Sequence, residues 1–383
     1  MTTTVPINVT DHNIADALRR LLRALFESGQ IQALLAPTLG HDRTTIMPAL
    51  IHDPEQIDRV MAISPAFAVN SAKLAARLTR KSPGIRLAAV LRPCELRAFI
   101  ELAKLKQACR EDIIVISIDC PGAYSNRIWA EKTAQTDAVS LTEHFIDQAL
   151  AGHDDPDLST ACRICIEPVA EQADIRINLF AQNAANQIPA ISQTPAGQQA
   201  LDAIPPADAA DCHLSGNFES ELIARRQAER DRTLQATGKA VDHPHQLAAY
   251  LNRCVNCYNC RVACPVCYCR ECVFVTDVFD YEPAQYINRA TRRGAVRMPT
   301  DTLFYHLTRL THIGLSCVGC GQCANACPND IPLAELFIMT AETAQNEFDY
   351  RAGRRLDEAL PLSVFNKDEF TDVVGMQDPE VNP

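Results

Sequence analysis

The sequence predicts two domains, an α/β domain on a parallel sheet followed by an α-rich, cysteine-dense domain, and three observations predict them. First, Ile85–Leu91 is an apolar run of strand length, residues 95–106 have helical spacing, and Ile113–Ile118 is apolar again. A helix between two apolar strands is a βαβ unit, which implies parallel pairing. Second, the chain holds 17 cysteines, 11 of them between Cys254 and Cys327. Third, one cysteine spacing occurs twice in that stretch. A length of 383 residues, 47% hydrophobic and 22% charged, accommodates about two globular domains.

The elements follow in order. Thr10-Asp11 opens an amphipathic helix whose apolar positions are Ile14, Leu18, Leu21, Leu22 and Leu25, with Gly29 at its C-terminal cap. Short β-like runs at residues 32–35 and 45–50 precede a helix over about 69–79. The βαβ unit sets Cys94 after its first strand and Cys120 after its second, at the carboxyl edge of the sheet, where ligands of open α/β sheets gather. Residues 174–180 supply one more strand. Residues 181–211 turn to Ala, Gln and Asn with four prolines and read as a linker or a loose surface excursion. Residues 218–235 form a charged, solvated helix, and 331–344 another helix. The divisions expected are an α/β domain over 1–180, linker and charged helix over 181–242, the cysteine-dense domain over 243–345, and a C-terminal arm over 346–383.

Charge and compartment narrow the function. A net charge of −11 argues against general affinity for nucleic acid or anionic membrane. No stretch approaches the ~18 apolar residues of a membrane helix, and residues 1–13 lack an export pattern, so a cytoplasmic chain is expected. An odd cysteine count in such a chain points to free thiols, and clustered free thiols are metal ligands.

Cys254-x2-Cys257-x2-Cys260-x3-Cys264-Pro265 is one motif and Cys317-x2-Cys320-x2-Cys323-x3-Cys327-Pro328 a second. This is the bacterial iron–sulfur spacing, in which three thiolates converge on one cuboidal cluster and the fourth ligates the partner cluster. Cys254, Cys257, Cys260 and Cys327 are thus expected to hold one 4Fe-4S cluster, and Cys317, Cys320, Cys323 and Cys264 the other, in a ferredoxin-like dicluster domain. Zinc is the competing ligand, but it calls for two separated pairs rather than triplets ending in Cys-Pro. Cys267, Cys269 and Cys272 exceed the ferredoxin set and read as buried small residues or ligands of something else. Arg289, Arg292, Arg293 and Arg297 in the insertion before Cys317 form either a docking patch or a solvated face. The pair Cys162-x2-Cys165 is weak by itself. With Cys94 and Cys120 at one sheet edge it would complete a third 4Fe-4S set, the alternative being unrelated buried thiols. Cys109 and Cys212 read as structural, and there is no GxGxxG, Walker or serine-elbow device.

The segments Arg92-Pro-Cys-Glu-Leu-Arg97, Asp119-Cys-Pro-Gly122 and Cys162-x2-Cys165-x-Glu-Pro, with the run Cys254–Cys272, resemble the β subunits of coenzyme F-420 (deazaflavin) hydrogenases and formate dehydrogenases, the formate dehydrogenase branch in particular. The resemblance covers roughly residues 85–365. It implies an electron-transfer subunit with FAD beside a 4Fe-4S cluster in the α/β domain, and by position makes Cys94, Cys120, Cys162 and Cys165 that cluster's ligands. It implies relay between a formate dehydrogenase or hydrogenase catalytic subunit and a soluble two-electron carrier. Where the family has a glycine-bearing segment, Ala173-Asp174 continues Ile-Arg-Ile-Asn without one, and no flavin ligand is assigned. The rival reading is a flavin-free wire or docking adaptor to a heterodisulfide-reductase-like complex, and a zinc-stabilised interaction module is a third.

Overall fold

A computed structural model of the chain describes residues 3–181, 183–204 and 218–363. Its α/β part runs β1 (Thr4–Asn8), α1 (Ile14–Glu27), β2 (Ala33–Leu39), β3 (Ile46–Ile51), α2 (Ala72–Thr79), β4 (Leu87–Leu91), α3 (Pro93–Lys104), β5 (Ile113–Ile118), α4 (Asn126–Thr133), α5 (Ala138–Leu150), α6 (Thr160–Arg163), β6 (Ile175–Ile177), β7 (Gln187–Ser192) and α7 (Pro195–Asp202). The remainder is helical: α8 (Phe218–Val241), α9 (Pro244–Tyr250), α10 (Asn259–Ala263), α11 (Pro283–Arg293), α12 (Thr302–Ile313), α13 (Gln322–Asn325) and α14 (Leu333–Glu347).

The sheet order is β1-β7-β6-β5-β4-β2-β3. The four strands β2, β4, β5 and β6 pair in parallel, while β3, β7 and β1 add antiparallel margins. β4 is buried along its whole length and β5 nearly so, because helices cover both faces; that is why both read as unbroken apolar runs.

Residues 187–202, read from composition as linker, carry β7 and α7 and so belong to the sheet domain. Pro189 disguised the strand: it stands opposite Pro6 of β1, so neither proline removes a bond its partner could have made. Residues 182 and 205–217, Cys212 among them, lie outside the described residues. The helix at 218 extends to Val241, and Arg226 on it is buried, its guanidinium donating to the Pro121 carbonyl at 2.5 Å.

The sheet domain and the cysteine-dense segment share one core. Leu35, Leu87, Ala89 and Leu91 on one sheet face, with Leu96, Phe99 and Leu102 of α3, pack in the same cluster as Tyr305, Ile313, Leu336 and Phe337. Gly321 shows how closely the halves meet. It adopts φ +74, and a Cβ there would overlap the Ala161 methyl of α6. The start of the expected arm is docked rather than extended. Buried Glu101 on α3 accepts from the Tyr350 hydroxyl and from the Gly353 amide at 2.7 Å, with the Lys104 ammonium 3.4 Å away. Residues 364–383 lie outside the described residues.

Candidate metal centres

α3 begins immediately after β4, and its first turn fixes Cys94. Pro93 occupies the first helical position, and the Glu95 carboxylate reaches back to the Arg92 amide at 2.9 Å and across to the Ser71 amide at 2.6 Å. Cys120 follows β5, its amide bonded to the Pro168 carbonyl at 2.8 Å. The short helix α6 presents Cys162, with Cys165 just past its end. Charges on Cys120 and Cys165 act on Cys94, and Cys120 and Cys165 act on Cys162, so these four thiols form one neighbourhood.

The other eight thiols sort into two groups. Cys254 feels Cys260, Cys327 and Cys257; Cys260 feels Cys257 and Cys327. Cys317, Cys320 and Cys323 each feel Cys264. The fourth cysteine of each motif thus stands with the first three of the other. After burial itself, Cys320 is the largest influence on Cys94, so the sheet-edge group abuts the Cys264/Cys317/Cys320/Cys323 group. The three groups form a row.

Burial pushes these thiols up: Cys317 to about 11, and Cys94, Cys320 and Cys323 well above the ordinary thiol range. Thiolates in such surroundings need a compensating cation. Among the described residues no three His, Cys, Asp or Glu side chains converge on a point suited to one metal ion. A 4Fe-4S cluster asks instead for four thiolates around a larger cage, and the donor sets fit it.

Polar groups attend the row. Arg309 donates to Cys260 Sγ at 3.1 Å and to the Cys260 carbonyl at 3.1 Å, and the Tyr305 hydroxyl is 3.3 Å from the same sulfur. His306 Nε2 lies 3.3 Å from Cys254 Sγ, and the Asn256 amide donates to it at 3.4 Å. Burial, with Arg309 beside it, pulls the His306 imidazole down to about 4, so it stays neutral. Arg97 pairs with Glu167 and donates to the Val318 carbonyl at 2.6 Å, bridging the sheet-edge group to the next. Arg92 lies 3.8 Å from Cys120 Sγ. None of these helpers was singled out in the sequence, where Arg92 and Arg97 appeared only inside a family motif. The pair Tyr305 and Arg309, one helical turn apart between the two motifs, was the available signal.

The remaining thiols differ in place: after burial, Cys264 is the largest influence on Cys267, which therefore adjoins the row. Cys267 is half-buried and pushed up to about 11, chiefly by burial; Cys269 is exposed. Cys109 sits at the surface, its thiol bonded to Glu111 at 3.2 Å.

A flavin at the carboxyl edge of the sheet needs a cavity there. The cavity beside Cys120, lined by Ser64, Arg92, Asp119 and Gly122 among others, has about 20 Å³. A cofactor of this kind occupies a pocket of roughly 300–1,000 Å³. Asp119, paired with Arg176 at 2.9 Å and pushed by burial up to about 6, closes this edge together with Arg92, which donates to the Ser64 and Ala66 carbonyls. The cavity beside Cys120 is too small for a flavin; a second one at the same edge, lined by Pro93, Arg97, Glu167 and Ala170 among others, has about 280 Å³.

Around the Cys254 group the surface changes character. Ten of the 16 large hydrophobic residues exposed among the described residues fall between Val255 and Leu307, including Val262, Val278, Ile287, Met298 and Phe304. Eight arginines against five carboxylates lie between residues 253 and 309, in a chain of net charge −11. Cys257 is exposed there.

A family model described as a 4Fe-4S dicluster domain matches residues 266–332. The match contains the second motif and Cys267, Cys269 and Cys272; the motif from Cys254 to Cys264 lies upstream of it. The F420-dependent formate dehydrogenase subunit beta of Methanocaldococcus jannaschii is 24% identical over 93% of this chain and 97% of its own length. The F420-dependent formate dehydrogenase 1 subunit beta of Methanococcus maripaludis is 24% identical over 90% of this chain and 92% of its own. Sulfhydrogenase 2 subunit beta of Pyrococcus furiosus is 34% identical over 21% of this chain and 28% of its own. A chain of the F420-reducing [NiFe] hydrogenase complex of Methanosarcina barkeri superposes with a TM-score of 0.43 at 14% identity, over 61% of this chain and 92% of that one. Across nine-tenths of its length this chain is therefore a relative of F420-dependent formate dehydrogenase β subunits, with a 4Fe-4S dicluster domain towards its C-terminal end.

Proposed function

We propose that the chain is the iron–sulfur electron-transfer subunit of an oxidoreductase complex of formate dehydrogenase or hydrogenase type. The observation that carries this is the row of thiol groups, with Cys94 beside Cys320 and Cys264 beside Cys317. Each group has the donor set of a 4Fe-4S cluster, and such clusters supply one-electron transfer. The chain's own residues hold these sites dry, deliver N–H donors to the sulfurs and bring the Cys254 group to the apolar, basic face. A catalytic subunit would dock on that face, since substrate turnover belongs to the partner. No described helix is long and apolar enough to cross a membrane. The test is iron and sulfide analysis with EPR on anaerobically purified protein. About 12 irons per chain supports all three groups, about 8 supports the two motifs alone, and a colourless, iron-free protein after reconstitution defeats the reading.

The second reading is the flavin-free wire or adaptor, with a heterodisulfide-reductase-like complex as one partner of the kind it would join. The observation favouring it is the cavity beside Cys120, which at about 20 Å³ is too small for a flavin. Acid extraction followed by fluorescence decides: stoichiometric flavin refutes this version and leaves the cluster row standing.

A further inference from the structure

Four arginines attend the row, half-buried Arg92 and Arg97 and buried Arg226 and Arg309, and they differ in how their charge is answered; Arg226 has the Asp154 carboxylate 3.7 Å away. Arg97 has the Glu167 carboxylate. Arg92 caps three backbone carbonyls and stands beside Glu95. Arg309 has no carboxylate within ion-pair distance among the described residues, although it is only 4% exposed. Its Nε finds no hydrogen-bond partner. Its faces lie on rings, 4.6 Å from the Phe337 centroid and 5.5 Å from that of Tyr305. Its two terminal nitrogens both go to Cys260. The groups that feel it include Cys260, Cys323 and Cys317, which belong to both thiol sets of the dicluster.

A lone buried guanidinium is strongly unfavourable unless anions face it. Among the described residues the answering groups are cysteines of two neighbouring sets, with Tyr305 beside them. We propose that Arg309 is the positioning residue that tunes the dicluster: its fixed charge raises the reduction potential of the centre held by Cys254, Cys257, Cys260 and Cys327, and offsets the repulsion between the two centres so that both can be reduced. This rests on the reading that these thiols hold 4Fe-4S clusters. Reduction adds negative charge, and a positive charge at 3.1 Å in a low-dielectric site favours the reduced form. The bidentate grip on one residue's sulfur and carbonyl also explains arginine rather than lysine, which offers a single point of charge.

The experiment uses the full chain, anaerobically purified, as wild type, R309K, R309Q and a surface control, R232Q, at an exposed position of α8. Iron per chain is measured first, then the midpoint of each cluster signal by EPR-monitored redox titration. R309Q should shift the Cys254-set midpoint to more negative potential, shift the neighbouring centre less in the same direction, and widen the gap between first and second reductions. R309K should restore most of the shift, and R232Q should leave the midpoints in place. R309Q with full iron and unchanged midpoints overturns the proposal. Should R309Q fail to hold iron, wild type grown with [15N]arginine carries the test. A 15N hyperfine coupling on the reduced dicluster, abolished in R309K, supports the contact, and its absence overturns it. Wild type without iron refutes the cluster reading itself, a different result from either.

Discussion

Replacing Gly321 with alanine tests the seam between the two halves of the molecule. Gly321 precedes the short helix α13 that carries Cys323, and it follows Cys320 directly. At φ +74 an L-residue is strained by about 1–2 kcal/mol. The new methyl group would also meet Ala161 closer than real Cβ contacts allow, and its nearest neighbour is another methyl on a helix, not the free end of a long side chain. Forced overpacking of this kind costs about 1–3 kcal/mol. The sum is about 2–5 kcal/mol, directed at Ala161 of α6, whose next residue is Cys162. G321A should therefore unfold at lower denaturant in a reversible urea titration under reducing, anaerobic conditions. It should also lose iron from the sheet-edge group before the Cys254 group. Stability within about 1 kcal/mol of wild type, with all iron retained, would refute the close approach of the two halves.

Three more outcomes are expected. C327A should damage the centre of Cys254, Cys257 and Cys260 and leave that of Cys317, Cys320 and Cys323 comparatively intact; the opposite EPR pattern removes the crossed assignment. The C94A/C165A double variant should lose about 4 irons while the dicluster signals persist, and an unchanged iron content argues against a third site. E101Q weakens the acceptor shared by Tyr350, Gly353 and Lys104 in a buried site, so a loss of about 1–3 kcal/mol is expected by chemical denaturation, with hydrogen exchange rising over residues 350–358. Deleting from Asn346, by contrast, removes part of the core as well as any tether, and is a test of folding first.

Much of this was legible before the structure. The β4–α3–β5 unit showed itself because burial on both faces writes an unbroken apolar run, and the edge position of Cys94 and Cys120 followed from topology alone. The spacing also suggested the crossed grouping of the eight motif thiols, which the C327A variant puts to the test. What stayed hidden depended on tertiary partners. β7 is a strand because β1 and β6 pair with it, not because Gln187–Ser192 has strong local preference, and β1 was missed for the same reason. Arg309 sits on a helix whose pattern places arginine in water; only the fold brings the sulfur of Cys260 beneath it. The docked segment from Tyr350 to Glu358 looked like a tail because its anchor, Glu101, lies some 250 positions earlier.

The common core has a consequence for how such a chain is built. A ferredoxin module that folds by itself could be grafted, exchanged or shed as a cassette. Here Phe337 and Tyr305, which enclose the thiols, pack in one cluster with Leu96 and Phe99 beneath the sheet. Metal binding is coupled to folding wherever ligands must be gathered, so loading the thiols would set the sheet domain as well as the cysteine-dense segment. Iron delivery would then act as a checkpoint in biogenesis: a chain without its clusters would lose part of the wall beneath its own sheet.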